Sequence, residues 1–234
     1  DDTTATALLD GNAAMRRRIK AQRKAYLELV LGRGAQLWCE RNSTRPMSRR
    51  LHLYTLIFYP AGRHGLGQFF AYYRDRVPDV TFTVVDMSNG TSRADDRDGR
   101  MALATAYDAE VLSGHIDPSR WAIIRNELWK RHRGSAAPAW VGFIDTDEFL
   151  DVDTRMLDLW QMADIGAVRA VGFQMVGLSR DYHRVTRGFR DKLFNKLVLW
   201  WPDGLDDVHT GPGNHDAQPE PAEWIKVAGG GIAN

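Results

Sequence analysis

The chain has 234 residues and a formal net charge of +1, from 31 basic and 30 acidic side chains, and is 44% hydrophobic and 26% charged. Near-neutrality excludes a general nucleic-acid binder, and the length and hydrophobic fraction suit one globular core plus an appendage. Cys39 is the only cysteine, which excludes an intramolecular disulfide and a thiolate zinc cluster, fits a reducing compartment and favours a cytoplasmic location.

Asp1-Asp2-Thr3-Thr4 lacks the basic start and apolar centre of a signal peptide, and no apolar stretch in the sequence reaches the length of a membrane span. Residues 1–50 begin polar and then form a helix-like stretch from Ala13 to Leu31, broken at Gly32-Arg33-Gly34. Met15, Ile19, Tyr26 and Val30 recur at helical spacing, while Arg16, Arg17, Arg18, Lys20, Arg23 and Lys24 make a basic side. From Leu51 the pattern changes to alternating strands and helices, the signature of an α/β domain with a mostly parallel sheet. Leu51 to Tyr59 reads as the first strand, Pro60 to Gly67 as a turn-rich loop, and Gln68 to Arg76 as a helix turning Phe69, Phe70 and Tyr73 to the sheet. A second strand runs from Val80 to Val85 and closes at Asp86, and a helix follows around Met101 to Val111.

Asp117-Pro118 supplies an N-cap and a first-turn proline for a helix with Trp121, Ile124 and Leu128 on one face. Lys130, Arg131 and Arg133 gather at its far end, where the helix dipole favours cations. After Gly134 the strand beginning at Trp140 runs to Asp145-Thr146-Asp147-Glu148. Asp153 is placed to cap a helix from Thr154 to Ala163 with Met156, Leu157 and Trp160 inward. Strands from Ala167 to Val176 and from Leu193 to Trp201 come next, and the Gly-, Pro- and Asp-rich tail from Gly204 reads mostly as loop.

The acids after the Trp140 strand carry most of the functional information. No polar residue precedes Asp145 in this strand, which therefore reads as buried on both faces of a parallel sheet, and ligands of such sheets collect at the carboxyl ends of the strands. Acids there also cap helices, and Asp153 is read that way. Capping does not account for Asp145, Asp147 and Glu148. Carboxylates this close raise one another's pKa unless a cation lies among them, and hard oxygen donors suit Mg²⁺ or Mn²⁺, whose natural companion is a diphosphate.

Several segments in order resemble glycosyltransferases of the GT-A fold, in particular family 2-like enzymes with an Asp-x-Asp-Glu-Phe motif. These are the first strand and helix, Val85-Asp86-Met87-Ser88-Asn89-Gly90 after the second strand, Arg125-Asn126, and Val141 to Phe149. The resemblance covers about residues 51–210. It implies a GT-A, Rossmann-like domain over residues 51–234 behind a basic helical extension over residues 1–50. It also implies a metal-dependent, inverting transfer of sugar from a UDP- or GDP-sugar to a hydroxyl of a glycan or glycoconjugate. The loop from Tyr59 to His64 departs from the pattern, because it lacks the acid that many relatives use to touch the nucleotide.

On that resemblance Asp147 is the direct ligand of Mn²⁺ or Mg²⁺, and Asp145 contacts the ribose or the metal. Asp86 and Ser88 bind the nucleoside, Arg125 holds a phosphate, Asn126 ties its helix to the acidic loop, and His209 is a further metal ligand with His215 as runner-up. Asp181 is the candidate base on the acceptor side, with Asp206 and Asp207 as rivals. Glu148 either serves there or orients a neighbouring backbone group. At most one of Trp200 and Trp201 offers a surface for a sugar ring, since one of such a pair normally faces the core, and Lys192 and Lys196 read as solvent-facing or as diphosphate contacts. A nucleotidyltransferase and a binding-only domain are the competing functions, the former weakened by the lack of an obvious basic, glycine-rich phosphate loop after the first strand.

Overall fold

The computed structural model describes residues 48–57, 63–87, 94–113, 120–162, 165–175, 188–190, 196–209, 218–220 and 227–233, some by backbone alone. It is an α/β fold built on a nine-stranded sheet among those residues, in the order β3-β2-β1-β4-β8-β6-β11-β5, with β7 on the side of β6. The first four strands are β1 (Leu51–Ile57), β2 (Val80–Asp86), β3 (Glu110–Ser113) and β4 (Trp140–Phe143), all mutually parallel. They are linked by α1 (Arg63–Arg76), α2 (Ala94–Ala106) and α3 (Trp121–Lys130). The second half contains β5 (Phe149–Leu150), α4 (Thr154–Met162), β6 (Ala167–Met175), β7 (Gly188–Arg190) and β8 (Lys196–Trp200). A 3-10 turn at Pro202–Gly204 precedes β9 (Asp207–His209), β10 (Gln218–Glu220) and β11 (Val227–Ala233).

Strand alternation sorts the apolar residues onto two faces. Leu51, Leu53, Phe82, Val84 and Trp140 pack with Phe69, Phe70 and Tyr73 of α1 and with Met156, Leu157 and Trp160 of α4. Tyr54, Leu56, Val85, Val141 and Phe143 point the other way, against Leu128 and Trp129 of α3 and against Leu205 and Val208. The sheet is thus sandwiched between helices, and its interior residues are apolar on both sides, as the run of β4 predicts. Asp153 caps α4 as expected, its Oδ1 accepting the Met156 N–H at 2.9 Å.

Local expectations needed adjustment. The glycines Gly65 and Gly67 lie inside α1 and not in a loop, because that helix begins at Arg63. Val111 belongs to β3, whose four residues are too short for a clear period; the preceding helix ends at Ala106. The described part of the tail is mostly strand: β9 pairs with β10, and β11 enters the main sheet between β6 and β5. Its sequence Val-Ala-Gly-Gly-Gly-Ile-Ala hides a strand behind three glycines, which have weak strand preference.

Ser48, just before β1, already joins the domain by donating its N–H to Gln161 Oε1 at 2.7 Å. The basic helix at Ala13–Leu31 and the Asp117-Pro118 helix start lie outside the described residues; α3 is described from Trp121, with Arg120 at its N-cap. Among the described residues no helix is long and apolar enough to cross a membrane.

Candidate active site

The carboxyl edge of β2, β1 and β4 collects the acids. Parallel pairing sets Asp86 opposite Ile57, while Phe143 lies opposite Tyr54. The pairing extends one residue beyond β4, since Ile144 N–H donates to the Tyr54 carbonyl at 3.0 Å, so Asp145 falls level with Leu56. With strands about 4.8 Å apart, the backbones of Asp86 and Asp145 stand about 10 Å apart across β1.

Asp145 and Asp147 are exposed, and Glu148 is 4% exposed. The three belong to a tight turn in which the Glu148 N–H donates to the Asp145 carbonyl at 2.9 Å, while the Asp145 N–H donates to Glu148 Oε2 at 3.2 Å. The side chain of Glu148 therefore orients backbone, one of the two roles expected of it. Tyrosines of α1 fix the exit of the turn: Tyr73 Oη donates to the Glu148 carbonyl at 3.4 Å and accepts the Leu150 N–H at 2.8 Å. Tyr72 Oη donates to the Leu150 carbonyl at 3.3 Å.

Lys196 is the residue that sequence reasoning misplaced. It is 3% exposed, not solvent-facing, and its ammonium lies 2.5 Å from each carboxylate oxygen of Glu148 and 3.8 Å from Asp145 Oδ2. Antiparallel pairing of Gly142 with Leu199 and Val141 with Trp200, continued along both strands, brings Lys196 opposite Asp145. Burial pushes the Glu148 carboxyl up to about 7; the Lys196 ammonium opposes that shift and Asp145 adds to it. A lysine heading an apolar strand of five buried residues was the available signal.

Arg125 of α3 is 2% exposed. Its guanidinium carbon lies 5.3 Å from the Trp121 ring centroid and 5.9 Å from that of Phe143, two residues before Asp145. Burial lowers its pKa to about 10, with Asp145 pulling the other way. Its Nε and Nη1 are enclosed without a hydrogen-bond partner. Buried donors are normally satisfied, so the state of this guanidinium is unusual.

Asp86 is also buried, at 7%, with Arg100 Nη2 of α2 3.7 Å from its Oδ2. Asn126 does not tie α3 to the acidic turn. It accepts the Trp129 indole N–H at 2.8 Å and hydrogen-bonds Asp207. The Asp207 carboxyl is held below its ordinary range: burial works against this, but hydrogen bonds from the Val208 N–H, Asn126 and Lys130 outweigh it. Arg133 donates to the backbone carbonyls of Leu205 and Asp206, and Lys130 Nζ lies 3.4 Å from Asp207 Oδ1, so the Asp207 carboxylate is engaged by the end of α3 while that of Asp206 is exposed. Neither tryptophan offers a sugar platform, since Trp200 stacks on Phe143 and Trp201 packs edge-on against Trp140, both inside the core.

Ser88, Asp181, Lys192 and His215 lie outside the described residues, as does the side chain of His209, whose backbone ends β9 opposite Gln218. Among the described residues no three His, Cys, Asp or Glu side chains converge as a complete metal cage. Asp145 and Asp147 still fit a divalent ion as two hard oxygen donors, because ions of the Mg²⁺ type are commonly held by one or two carboxylates with phosphate oxygens and water.

No protein-family model matches the chain, and no curated protein does. Among solved structures it is similar to S. aureus TarS, at 12% identity and a TM-score of 0.42, over 56% of this chain and 23% of that one. It is similar also to the mannosyltransferase PcManGT from Pyrobaculum calidifontis in complex with GDP-Man and Mn²⁺, at 13% identity and a TM-score of 0.39. That likeness covers 81% of this chain and 56% of the mannosyltransferase. The chain thus spans about a quarter and just over half of the two neighbours' lengths, and likenesses this distant assign no residue a role.

Proposed function

We propose that this chain is a metal-dependent glycosyltransferase that moves a sugar from a nucleoside-diphosphate sugar to a hydroxyl of a glycan or glycoconjugate. The observation that carries this reading is the placement of Asp86 and of the Asp145–Asp147 turn on one carboxyl edge, across β1 from each other, with the unsatisfied Arg125 guanidinium close to Asp145. Asp86, with Ser88, holds the nucleoside. Asp147 and Asp145 take Mn²⁺ or Mg²⁺ with the diphosphate, His209 is the candidate further ligand, and Arg125 binds a phosphate oxygen.

The acceptor oxygen bonds to the anomeric carbon as the bond from that carbon to the diphosphate oxygen breaks, and the hydroxyl proton passes to a base. The nucleoside diphosphate departs with the bonding pair. A bound divalent cation supplies Lewis-acid stabilisation of the charge that develops on the diphosphate. Arg125 adds a fixed positive charge in a dry setting, where such a charge acts most strongly. Asp181 is the proposed base of an inverting transfer; Glu148, saturated by Lys196, is not a free one.

The test is a thermal-stability panel of nucleotides with Mn²⁺, Mg²⁺ or EDTA, since a ligand of the folded state alone raises stability by mass action. A metal-dependent rise with UDP or GDP is expected, and Asp147→Asn is expected to abolish the metal dependence. No rise with any nucleotide overturns the reading. Release of pyrophosphate from a nucleoside triphosphate and a sugar phosphate would replace it with nucleotidyl transfer, and binding without release of nucleoside diphosphate from any nucleotide sugar would make it a binding domain.

A further inference from the structure

The proposed cation site contains a cation of its own. Lys196 Nζ stands 3.8 Å from Asp145 Oδ2, within reach of the oxygen that a divalent ion would need. At 3% exposure Lys196 is almost wholly buried. What keeps it from closing on Asp145 is visible in the same turn: both carboxylate oxygens of Glu148 hold it at 2.5 Å. Glu148 is itself fixed from the other side, where its Oε2 accepts the Asp145 N–H and its backbone carbonyl accepts the hydroxyl of Tyr73.

We propose that Glu148 is a positioning residue that holds the Lys196 ammonium off Asp145 and so leaves the Asp145–Asp147 turn open to a divalent cation. The inference rests on the metal-dependent reading given above. The geometry supports it: the ammonium lies 2.5 Å from each carboxylate oxygen of Glu148 and 3.8 Å from Asp145 Oδ2, so Glu148 is the nearer anchor. Without Glu148 the ammonium has Asp145 as its nearest carboxylate. Ammonium and metal then compete for one oxygen, and Coulomb attraction in a buried setting favours the group already tethered there. The third acid of the motif thus works as a counter-ion, which explains why it is buried while its two companions are exposed.

The experiment measures Mn²⁺ affinity by the electron-spin-resonance signal of free Mn²⁺, with and without saturating UDP or GDP, in the full chain and three variants. Glu148→Gln is expected to weaken Mn²⁺ binding about tenfold or more, the effect of roughly one unit of charge interaction at such a site. Glu148→Gln with Lys196→Met, a neutral pair, is expected to restore the affinity to within about threefold of the parent, and Lys196→Met alone to leave it unweakened. If Glu148→Gln does not fold, the other two variants decide the matter. Loss of Mn²⁺ binding in the double variant makes Glu148 a ligand and overturns the proposal. Equal weakening in Lys196→Met makes the pair a brace for the turn and overturns it too. A fall in kcat with Mn²⁺ affinity unchanged in Glu148→Gln makes Glu148 the base. A parent that binds no Mn²⁺ with or without nucleotide overturns the site reading itself, which is distinct from a parent that binds and variants that do not differ.

Discussion

At Arg125, two guanidinium nitrogens enclosed without partners cost the protein stability before any ligand arrives. The stacking positions of Trp121 and Phe143 recover part of that cost by cation–π attraction, worth about 2 kcal/mol when desolvated. A residue kept at such expense is expected to reveal itself when exchanged for an apolar one of similar length. Arg125→Met is expected to leave the unliganded protein as stable or up to about 2 kcal/mol more stable, because an unpaired buried charge is removed, while the thermal rise with nucleotide and Mn²⁺ is largely lost. Urea denaturation with and without nucleotide measures both arms. A less stable variant that retains its full ligand response would make Arg125 a structural residue.

Within elements, β4 is where packing and site meet. A methyl group at Gly142 would lie 2.5 Å from Leu199 Cδ2, 2.8 Å from the Val198 carbonyl and 3.0 Å from Leu53 Cδ2, so β4 is clamped between β1 and β8 at this point. Gly142→Ala is expected to cost about 1–3 kcal/mol through overpacking, read from the urea midpoint at unchanged slope. The same clamp explains what could be read beforehand. Asp86 and Asp145 were legible because each ends an apolar run, a local signal, and parallel pairing then places them on one edge. Lys196 was not, since its burial depends on an antiparallel neighbour 48 residues from Glu148, and lysine is ordinarily exposed. Asn126 misled for the same reason: its partner Asp207 comes from β9, in a segment whose composition reads as loop.

Across the whole molecule, stability is tied to pH through a cluster that joins β1, β2, β3 and α3. His52 Nδ1 lies 2.8 Å from Thr81 Oγ1 and Nε2 lies 3.0 Å from Thr83 Oγ1, whose hydroxyl donates to Glu110 Oε2. His132 stands 4.5 Å away, ring to ring, with its Nε2 2.8 Å from the Tyr54 hydroxyl. Burial first, and the neighbouring His132 second, pull the His52 pKa down to about 3; burial lowers His132 as well, with Glu110 opposing and Arg131 adding to the shift. At these histidines the unfolded chain therefore binds more protons than the folded one below about pH 6.5, so their contribution to stability falls on acidification, from that point down through the folded value, while the raised Glu148 carboxyl acts in the opposite sense. For His52 the loss by about pH 5 is up to about 2 kcal/mol. His52→Gln is expected to flatten the decline measured by denaturation at a series of pH values, and an unchanged slope would remove His52 as its source.

The antiparallel entry of β8 beside β4 also has a consequence in time. As the chain is synthesised, β4 and its acids emerge with one edge unpaired, and the strand that covers this edge and carries the balancing ammonium follows 48 residues after Glu148. During that interval the edge of β4 that β8 will cover stands open, and the acids that follow it lack the Lys196 ammonium. Charge on an open edge is one of the devices by which proteins discourage wrong pairing. The acids that follow β4 thus serve the unfinished molecule by discouraging wrong pairing at its open edge.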